Sequence, residues 1–452
     1  MSMRRFRSRL FQFVRRQDGG VLPLAAASMV ALIGAVGLAV DGGRLVLMHS
    51  SLQRAIDAGG LSAVAKLGTT TLDDEVRKFT AVNFADGYIG ANITSLTSAL
   101  SSDKKTLTVQ AAATAPTTFM SLFGIHTMST SAETVIERAV GGLELVLVLD
   151  NTGSMGGSPL RDLKTATNSL LDILFGDQVV GEKLYVGVVP FSQSVNIGAT
   201  HSDWLTPGSL KGLDWGPTKW GGCVEARADG YDETDDVPSM KTFAPYYWKD
   251  SDKNRWRNSK SSLGQSLGPN KHCPAEVTPM TSTKSKLVTA VRDMEAVGNT
   301  HVNYGAVWGW RMLSPKWRGL WGGDMNNNEL PLDYGTESMN KAAVIMTDGE
   351  NTMTSTTYTA YGWLEEKRLG TDRSSEAVGE LNDRLAAVCT AMKNAGIIVY
   401  TIAFNRPGKS IEDLLRGCAT QPAFYFNSPS GSDLKTAFEQ IGGSLSNLRV
   451  SR

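Results

Sequence analysis

The sequence predicts an α/β fold with a doubly wound, mostly parallel sheet over residues 141–452, and three features point to it. First, residues 143–149 (LELVLVL), 342–346 (AAVIM) and 396–404 (GIIVYTIAF) are short runs dominated by branched aliphatics. Such runs fit strands buried on both faces, as in a parallel sheet covered by helices. Second, segments with helical spacing of apolar residues alternate with these runs, at 160–175, 284–296, 303–313, 376–394 and 432–448. Alternating strands and helices are what a doubly wound sheet requires. Third, the first run ends in Asp150-Asn151-Thr152-Gly153-Ser154, and ligand sites of such sheets lie at the carboxyl ends of the strands. A further strand at 183–191, a short helix at 411–416 and a last strand at 423–426 complete the pattern.

Two regions precede this domain. Residues 1–18 form a basic arm that includes Arg4, Arg5, Arg7, Arg9, Arg15 and Arg16. Residues 19–41 form an apolar stretch whose first charge is Asp41, about the length a helix needs to cross a bilayer. The arginines place the N-terminus in the cytoplasm and the bulk of the chain outside. A cleaved signal peptide is the competing reading, but the stretch is long for one and lacks a clear cleavage site before a polar start. Over 42–140 the helix is expected to continue past the membrane, with Leu45, Met48, Leu52, Ala55, Ile56 and Ala63 on one face. A second helix at 74–84 and short strands at 91–96, 106–112, 118–122 and 128–136 follow, a small α+β region with a pilin-like outline.

The predicted sheet is interrupted at about 200–283 by a polar segment studded with aromatics, among them Trp204, Trp215, Trp220, Tyr246, Trp248 and Trp256. A structureless loop of that length is unusual, so it is expected to be an inserted subdomain. Its aromatics suit either a small core or a binding surface. Cys223 and Cys273 both fall inside it, and a bridge between them would staple a region too small for a good core. Cys389 sits on one predicted helix and Cys418 just after another, where pairing would tie two neighbouring elements. No C-x-x-C occurs, and His272 beside Cys273 has no second cluster to complete a zinc site. Two disulfides in an oxidising compartment fit the exported topology. The 45 Lys+Arg balance the 45 Asp+Glu, which speaks against nucleic-acid binding, where a basic surplus is needed.

The candidate site gathers oxygen donors. Asp150, Thr152 and Ser154 follow the first strand, Thr300 lies in a loop before a helix, and Asp348 follows the strand at 342–346. Carboxylates with hydroxyls are hard-oxygen chemistry, suited to Mg²⁺. This pattern resembles the metal-ion-dependent adhesion site (MIDAS) of von Willebrand factor A domains, D-x-S-x-S followed by a distant Thr and a distant Asp. Thr152 stands where the family has Ser, keeping the oxygen and adding a methyl group. The resemblance implies Mg²⁺, or Mn²⁺ or Ca²⁺, held by these five side chains. It also implies a coordination position open to an acidic side chain of a partner protein. Asp150-Asn151-Thr152-Gly153-Ser154 also resembles the phosphorylation loop of P-type ATPases, in which the Asp accepts a phosphoryl group. That reading is disfavoured by Asn151 in place of Lys, and by a single candidate membrane span where pumps need many. No H-E-x-x-H or P-loop pattern supports another enzyme.

A second resemblance lies at the ends of the chain. The arginine arm, the glycine before the apolar stretch, Val40-Asp41-Gly42-Gly43-Arg44 and Leu52-Gln53-Arg54-Ala55-x-Asp57-Ala58 are similar to the anchor of TadG-like proteins of the bacterial Tad (Flp) pilus system. Leu415-Arg416-x-Cys418-Ala419, Tyr425-Phe426 and Leu448-Arg449-Val450-Ser451 extend the likeness. Gly59 and Gly60 replace the usual alanines, and the apolar run lacks the Glu of true prepilins. The resemblance implies a non-enzymatic, single-pass inner-membrane protein with a periplasmic or surface-associated bulk. Its implied role is in pilus assembly, anchoring or adhesion, with other assembly proteins or pilin subunits as partners.

Overall fold

The apolar stretch and its continuation form one helix, α1 (Val21–Ala65), 45 residues long. The computed structural model describes residues 21–65, 72–101, 106–137, 141–259 and 263–450, so the basic arm, Gly19 and Gly20 lie outside the described residues. The chain divides into two units, Met1–Ala139 and Val140–Arg452.

In the first unit, α1 is uncharged and mostly exposed up to Val40. Beyond that point it buries Met48, Leu52, Ala55, Ile56 and Ala63. These residues share a core with α2 (Leu72–Asn83) and with strands β1 (Asn92–Leu100), β2 (Thr106–Pro116) and β3 (Thr127–Glu137). The three strands form an antiparallel sheet in the order β1-β2-β3. Gly59 and Gly60 have a packing reason. A Cβ on Gly59 would lie 2.4 Å from Thr80 Oγ1, and one on Gly60 would lie 2.2 Å from Ile136 Cδ1. An alanine at 59 would also press on the Val76 carbonyl of α2, 2.9 Å away, and one at 60 would displace the Ile136 side chain.

The strand expected at 118–122 does not form; a short 3₁₀ turn, Met120–Phe123, stands there instead. The Asp41 carboxylate accepts the N–H groups of Thr118, Phe119 and Met120, each at 2.9 Å, so that backbone is committed to a side chain rather than to a ladder.

The second unit opens with β4 (Gly142–Asp150), α3 (Ser158–Phe175) and β5 (Leu184–Phe191). Short strands β6 (Val195–Asn196), β7 (Cys223–Val224) and β8 (Thr278–Thr281) follow, then helices α4 (Lys284–Arg292), α5 (Val302–Leu313) and α6 (Gly323–Asn327). Next come β9 (Met339–Thr347), α7 (Ser374–Asn394), β10 (Ile398–Phe404), α8 (Lys409–Cys418), β11 (Tyr425–Ser428) and α9 (Gly431–Val450). The sheet order is β11-β10-β9-β4-β5-β6-β7, with β8 also on β5. β11 through β5 are parallel, and β6, β7 and β8 join antiparallel.

Alternation along β4 feeds two cores. Leu143, Leu145, Leu147 and Leu149 join α3 and α9, while Val146 and Val148 join α5 and α7. This is the doubly wound arrangement, with β4 at its centre and helices on both faces. Arg449 near the end of α9 donates to the carbonyls of Gly141, Leu174 and Glu182, fastening the last helix to the start of β4.

The expected insertion packs largely onto the main core. The segment has little regular structure beyond β7, β8 and short 3₁₀ turns, and most of its aromatics do not form a core of their own. Trp204, Trp220 and Phe243 are buried in the main core with Trp308 of α5 and with Trp317 and Trp321. Trp204 meets Trp317 and Trp321 edge-on at 5.2 Å. The segment is therefore a cover over one helical layer, folded by the aromatics it lends to that layer. A smaller cluster of Tyr246, Trp248 and Tyr358 surrounds Cys223 and Cys273. Both expected pairings occur, Cys223–Cys273 and Cys389–Cys418.

Arginines do for this cover what a strand ladder does elsewhere. The buried Arg227 guanidinium donates to the carbonyls of Tyr231, Asp236, Val237 and Lys241, at 2.8–3.4 Å. Arg311 on α5 donates to Tyr231 and Thr234. Replacing Arg227 by methionine leaves the Asp236 and Lys241 carbonyls to find new partners, while Tyr231 keeps Arg311 and Val237 keeps the Met240 N–H, and is expected to cost about 2–4 kcal/mol in urea unfolding. Amide exchange should rise across 228–241; unchanged exchange there would refute this role.

Candidate functional site

β4 and β9 run side by side and end together, with Leu149 paired to Met346. The carboxyl ends therefore bring Asp150 and the Thr347-Asp348 turn into one place. The loop after β4 is fastened from two sides. Asn151 N–H donates to Phe191 O of β5 at 2.8 Å, and Gly153 N–H donates to Gly298 O at 2.9 Å. Val297 N–H returns a bond to Asn151 O at 2.7 Å, so the segment carrying Thr300 is strapped to the loop carrying Asp150. Gly298 is in the left-handed region, at φ 69°, and a Cβ there would lie 2.6 Å from Gln193 Oε1.

Four of the five predicted residues form one hydrogen-bonded chain. Asp150 Oδ1 accepts from Thr152 N at 2.8 Å, and the Thr152 and Ser154 hydroxyls lie 2.9 Å apart. Ser154 Oγ donates to Asp348 Oδ1 at 2.6 Å. The fifth, Thr300, lies over the turn that follows: a Cβ on Gly349 would sit 3.7 Å from its hydroxyl oxygen. Its backbone is held by Thr352, which accepts the Thr300 N–H at Oγ1 and returns its own N–H to Thr300 O. Asp150, Thr152, Thr300 and Asp348 are buried, while Ser154 is exposed, so the cluster opens to solvent at Ser154.

Sequence reasoning missed the supporting residues. Thr347 Oγ1 donates to Asp150 Oδ2 at 2.6 Å, so both carboxylate oxygens of Asp150 are engaged. Asn351 caps α5 by accepting the Val302 N–H at 2.7 Å, and Gln193 accepts the Asn299 N–H at 2.8 Å. Thr347 was legible as the residue between a buried strand and Asp348. Asn351 and Gln193 carry no local signal, because their partners are distant in sequence.

The electrostatics are those of surplus negative charge. Burial, and then the charge of Asp348, push the Asp150 carboxyl up to about 7. Burial also raises Asp348. His301, next to Thr300, is fully buried and held by that burial at about 3, so it stays neutral and supplies no compensating cation. The donors are two carboxylates and three hydroxyls, all hard oxygens, and a dication would relieve the mutual repulsion of the carboxylates. They fit a divalent ion of the Mg²⁺ class. Cys273 is bonded to Cys223, so no thiolate stands beside His272.

Residues 19–66 match the Tad family model, described as Flp pilus-assembly TadE/G-like. Among curated proteins none matches the chain in sequence. Solved structures similar to the chain include the vWF domain of the type V pili tip protein Mfa5 from Porphyromonas gingivalis. It is 11% identical, covers 69% of this chain and 97% of that one, and has a TM-score of 0.37. The pilus adhesin SpaC from Lactobacillus rhamnosus GG is 12% identical with a TM-score of 0.37, and 79% of this chain covers 34% of that one. Proximal thread matrix protein 1 from the mussel byssus, with a zinc-occupied MIDAS motif, is 12% identical with a TM-score of 0.32; 68% of this chain covers 47% of it. The chain thus spans about a third of SpaC and about half of the mussel protein. Scores this low support no transfer of function. The von Willebrand factor A-like fold class stands on the strand order, the helices on both faces and the loops at the carboxyl edge.

Proposed function

We propose that the chain is a membrane-anchored, non-enzymatic adhesion and assembly component of a bacterial Tad (Flp) pilus. In this reading it binds an acidic side chain of a pilus protein through a divalent ion held by Asp150, Thr152, Ser154, Thr300 and Asp348. The N-terminal match supports the pilus setting, and α1, whose uncharged stretch up to Val40 is apolar and long enough to span a bilayer, supports the anchor. The topology that follows is one span in the inner membrane, the N-terminus cytoplasmic and the second unit periplasmic.

The observation that carries the metal reading is the hydrogen-bonded chain from Asp150 through Thr152 and Ser154 to Asp348. It joins Ser154 and Asp348, 194 residues apart in sequence, and the side-chain atoms it gathers are all oxygens. When bound, Mg²⁺, Mn²⁺ or Ca²⁺ supplies a positive centre able to take one further carboxylate from a partner. Asp150, pinned by Thr152 N and Thr347, contributes fixed charge and orients the loop. Ser154, the exposed member, marks the side from which a partner approaches. The phosphoryl-transfer alternative is disfavoured by the same geometry, because a buried Asp150 with both oxygens engaged is poorly placed to attack a phosphorus in line.

Calorimetric titration of the protein with Mg²⁺ and Mn²⁺ tests the reading. Wild type and Thr152→Ser should bind, and Ser154→Ala should lose most of the heat. A pull-down from envelope extracts should recover a pilus protein with wild type and not with Ser154→Ala. Wild type that gives no heat with either ion would identify a structural component with a silent site.

A further inference from the structure

The loop between β2 and β3, residues 117–126, is an apolar, exposed connection of the first unit. Its sequence TTFMSLFGIH has no charge before His126, and Leu122, Phe123 and Ile125 are 72%, 45% and 49% exposed. It lies along α1 on the side of Asp41 that leads back into the uncharged stretch. Phe119 Cβ is 2.9 Å from where a Cβ of Gly37 would stand, and Phe123 Cζ is 3.5 Å from the corresponding point on Gly34. Gly34 precedes Asp41 by seven residues, about 10 Å along a helix.

We infer that this loop enters the bilayer beside α1, in the leaflet away from the N-terminus, with Leu122, Phe123 and Ile125 among the lipid acyl chains. The inference rests on the reading that α1 spans a membrane. Three further observations support a lipid environment. Non-helical backbone is tolerated at membrane depth only where its polar groups are satisfied within the protein, and here most of the loop's N–H groups are paired. Asp41 accepts Thr118, Phe119 and Met120 N–H. Thr117, Leu122, Gly124 and Ile125 N–H reach loop carbonyls, and Thr117 Oγ1 donates to Ile125 O at 2.5 Å. The lock at the surface is itself held: Arg44 pairs with Asp41 at 3.3 Å and bonds Thr118 and Ile89. Finally, the loop's exposed apolar side chains continue the exposed apolar surface of α1, where Leu32, Val36 and Leu38 are 65%, 50% and 64% exposed. The Asp41-Gly42-Gly43-Arg44 sequence thereby acquires a role as the clamp that sets a second, shallow membrane insertion next to the span.

The test uses the full chain in vesicles of phosphatidylcholine and phosphatidylglycerol, with and without bromine or nitroxide on the acyl chains. All four native cysteines are bonded to one another, so a single introduced cysteine carries an environment-sensitive nitrobenzoxadiazole label. Labels at Leu122→Cys and Leu32→Cys should emit blue-shifted and be quenched several-fold by the modified lipids, and a label at Val82→Cys should not. Asp41→Ala should lower the Leu122 quenching several-fold and leave that of Leu32 unchanged. Quenching at Leu32 without quenching at Leu122 overturns the insertion and leaves the span standing. A blue-shifted but unquenched Leu122 label does the same, because protein rather than lipid then covers the loop. Absence of quenching at both sites overturns the span and the insertion together. Unchanged Leu122 quenching in Asp41→Ala overturns the clamp.

Discussion

Replacing Asp150 by asparagine is expected to stabilise the metal-free protein at neutral pH and to abolish its stabilisation by Mg²⁺. Burial and the neighbouring Asp348 raise the Asp150 carboxyl from 3.8 to about 7. Between those values the unfolded chain ionises this group while the native state keeps its proton. Wild-type stability therefore falls as pH rises through that window, by up to about 1.4 kcal/mol per pH unit, and the loss is complete above the native value. Asparagine does not ionise. Its carbonyl can still accept from Thr152 N, and the Thr347 hydroxyl can turn to donate to Gly349 O at 3.0 Å while accepting from the new amide. The variant should therefore gain on wild type by a few kcal/mol between about pH 4 and about pH 7 in chelator. Added Mg²⁺ should reverse the order, since a ligand that binds only the native state stabilises by mass action and asparagine brings no charge to the site. Thermal unfolding with and without Mg²⁺ at several pH values decides it. A difference between the two proteins that does not change with pH would refute the assignment of Asp150 as a buried, charge-strained carboxylate.

The second large effect lies at the other end of the same strand. Glu144 is fully buried on β4 and pairs in register with Lys341 on β9. The Lys341 ammonium bonds Glu144 and donates to Leu313 O, the last residue of α5, at 3.0 Å. Glu144 also accepts the Leu332 N–H at 2.7 Å. Burial raises the Glu144 carboxyl and lowers the Lys341 ammonium, and each partner's charge opposes that shift in the other. Lys341→Met is expected to cost about 3–5 kcal/mol, because it leaves a buried carboxylate without its cation. The double variant Lys341→Met with Glu144→Gln should recover all but about 1 kcal/mol, since the amide carbonyl keeps the bond from Leu332 and no charge remains buried. Urea unfolding of the single and double variants measures the coupling. A single variant within about 1 kcal/mol of wild type would show that the pair is not what holds β4, β9 and α5 together at this edge.

Glu144 illustrates where local reading fails. In sequence it is one charged residue inside LELVLVL, with nothing nearby to explain it. Its partner is 197 residues away, and only the parallel register of β4 and β9 brings the two together. The site residues were legible for the opposite reason. Asp150, Thr152 and Ser154 are adjacent in sequence, and Asp348 follows its own buried strand, so strand ends could be recognised one at a time. The aromatic segment at 200–283 was legible as an insertion, but its composition does not say what it packs against. Its tryptophans belong to the core around α5, and the donors that organise its backbone are the Arg227 and Arg311 guanidiniums, which no periodicity announces. The turn at Met120–Phe123 was read as a strand because the signal that forbids one, Asp41, stands almost eighty residues earlier.

The sequence by itself determined the class of fold, the length and polarity of the N-terminal apolar helix and the oxygen chemistry at two strand ends. Each of these follows from periodicity or from residues within one turn of each other. Tertiary structure alone decided that Thr300 lies over the Asp348 turn, that Thr347 fixes Asp150, that the aromatic cover shares the main core and that Asp41 clamps an apolar loop to α1. These depend on pairings across long stretches of chain, where the free energy comes from burial and hydrogen bonds formed only once the strands are in register.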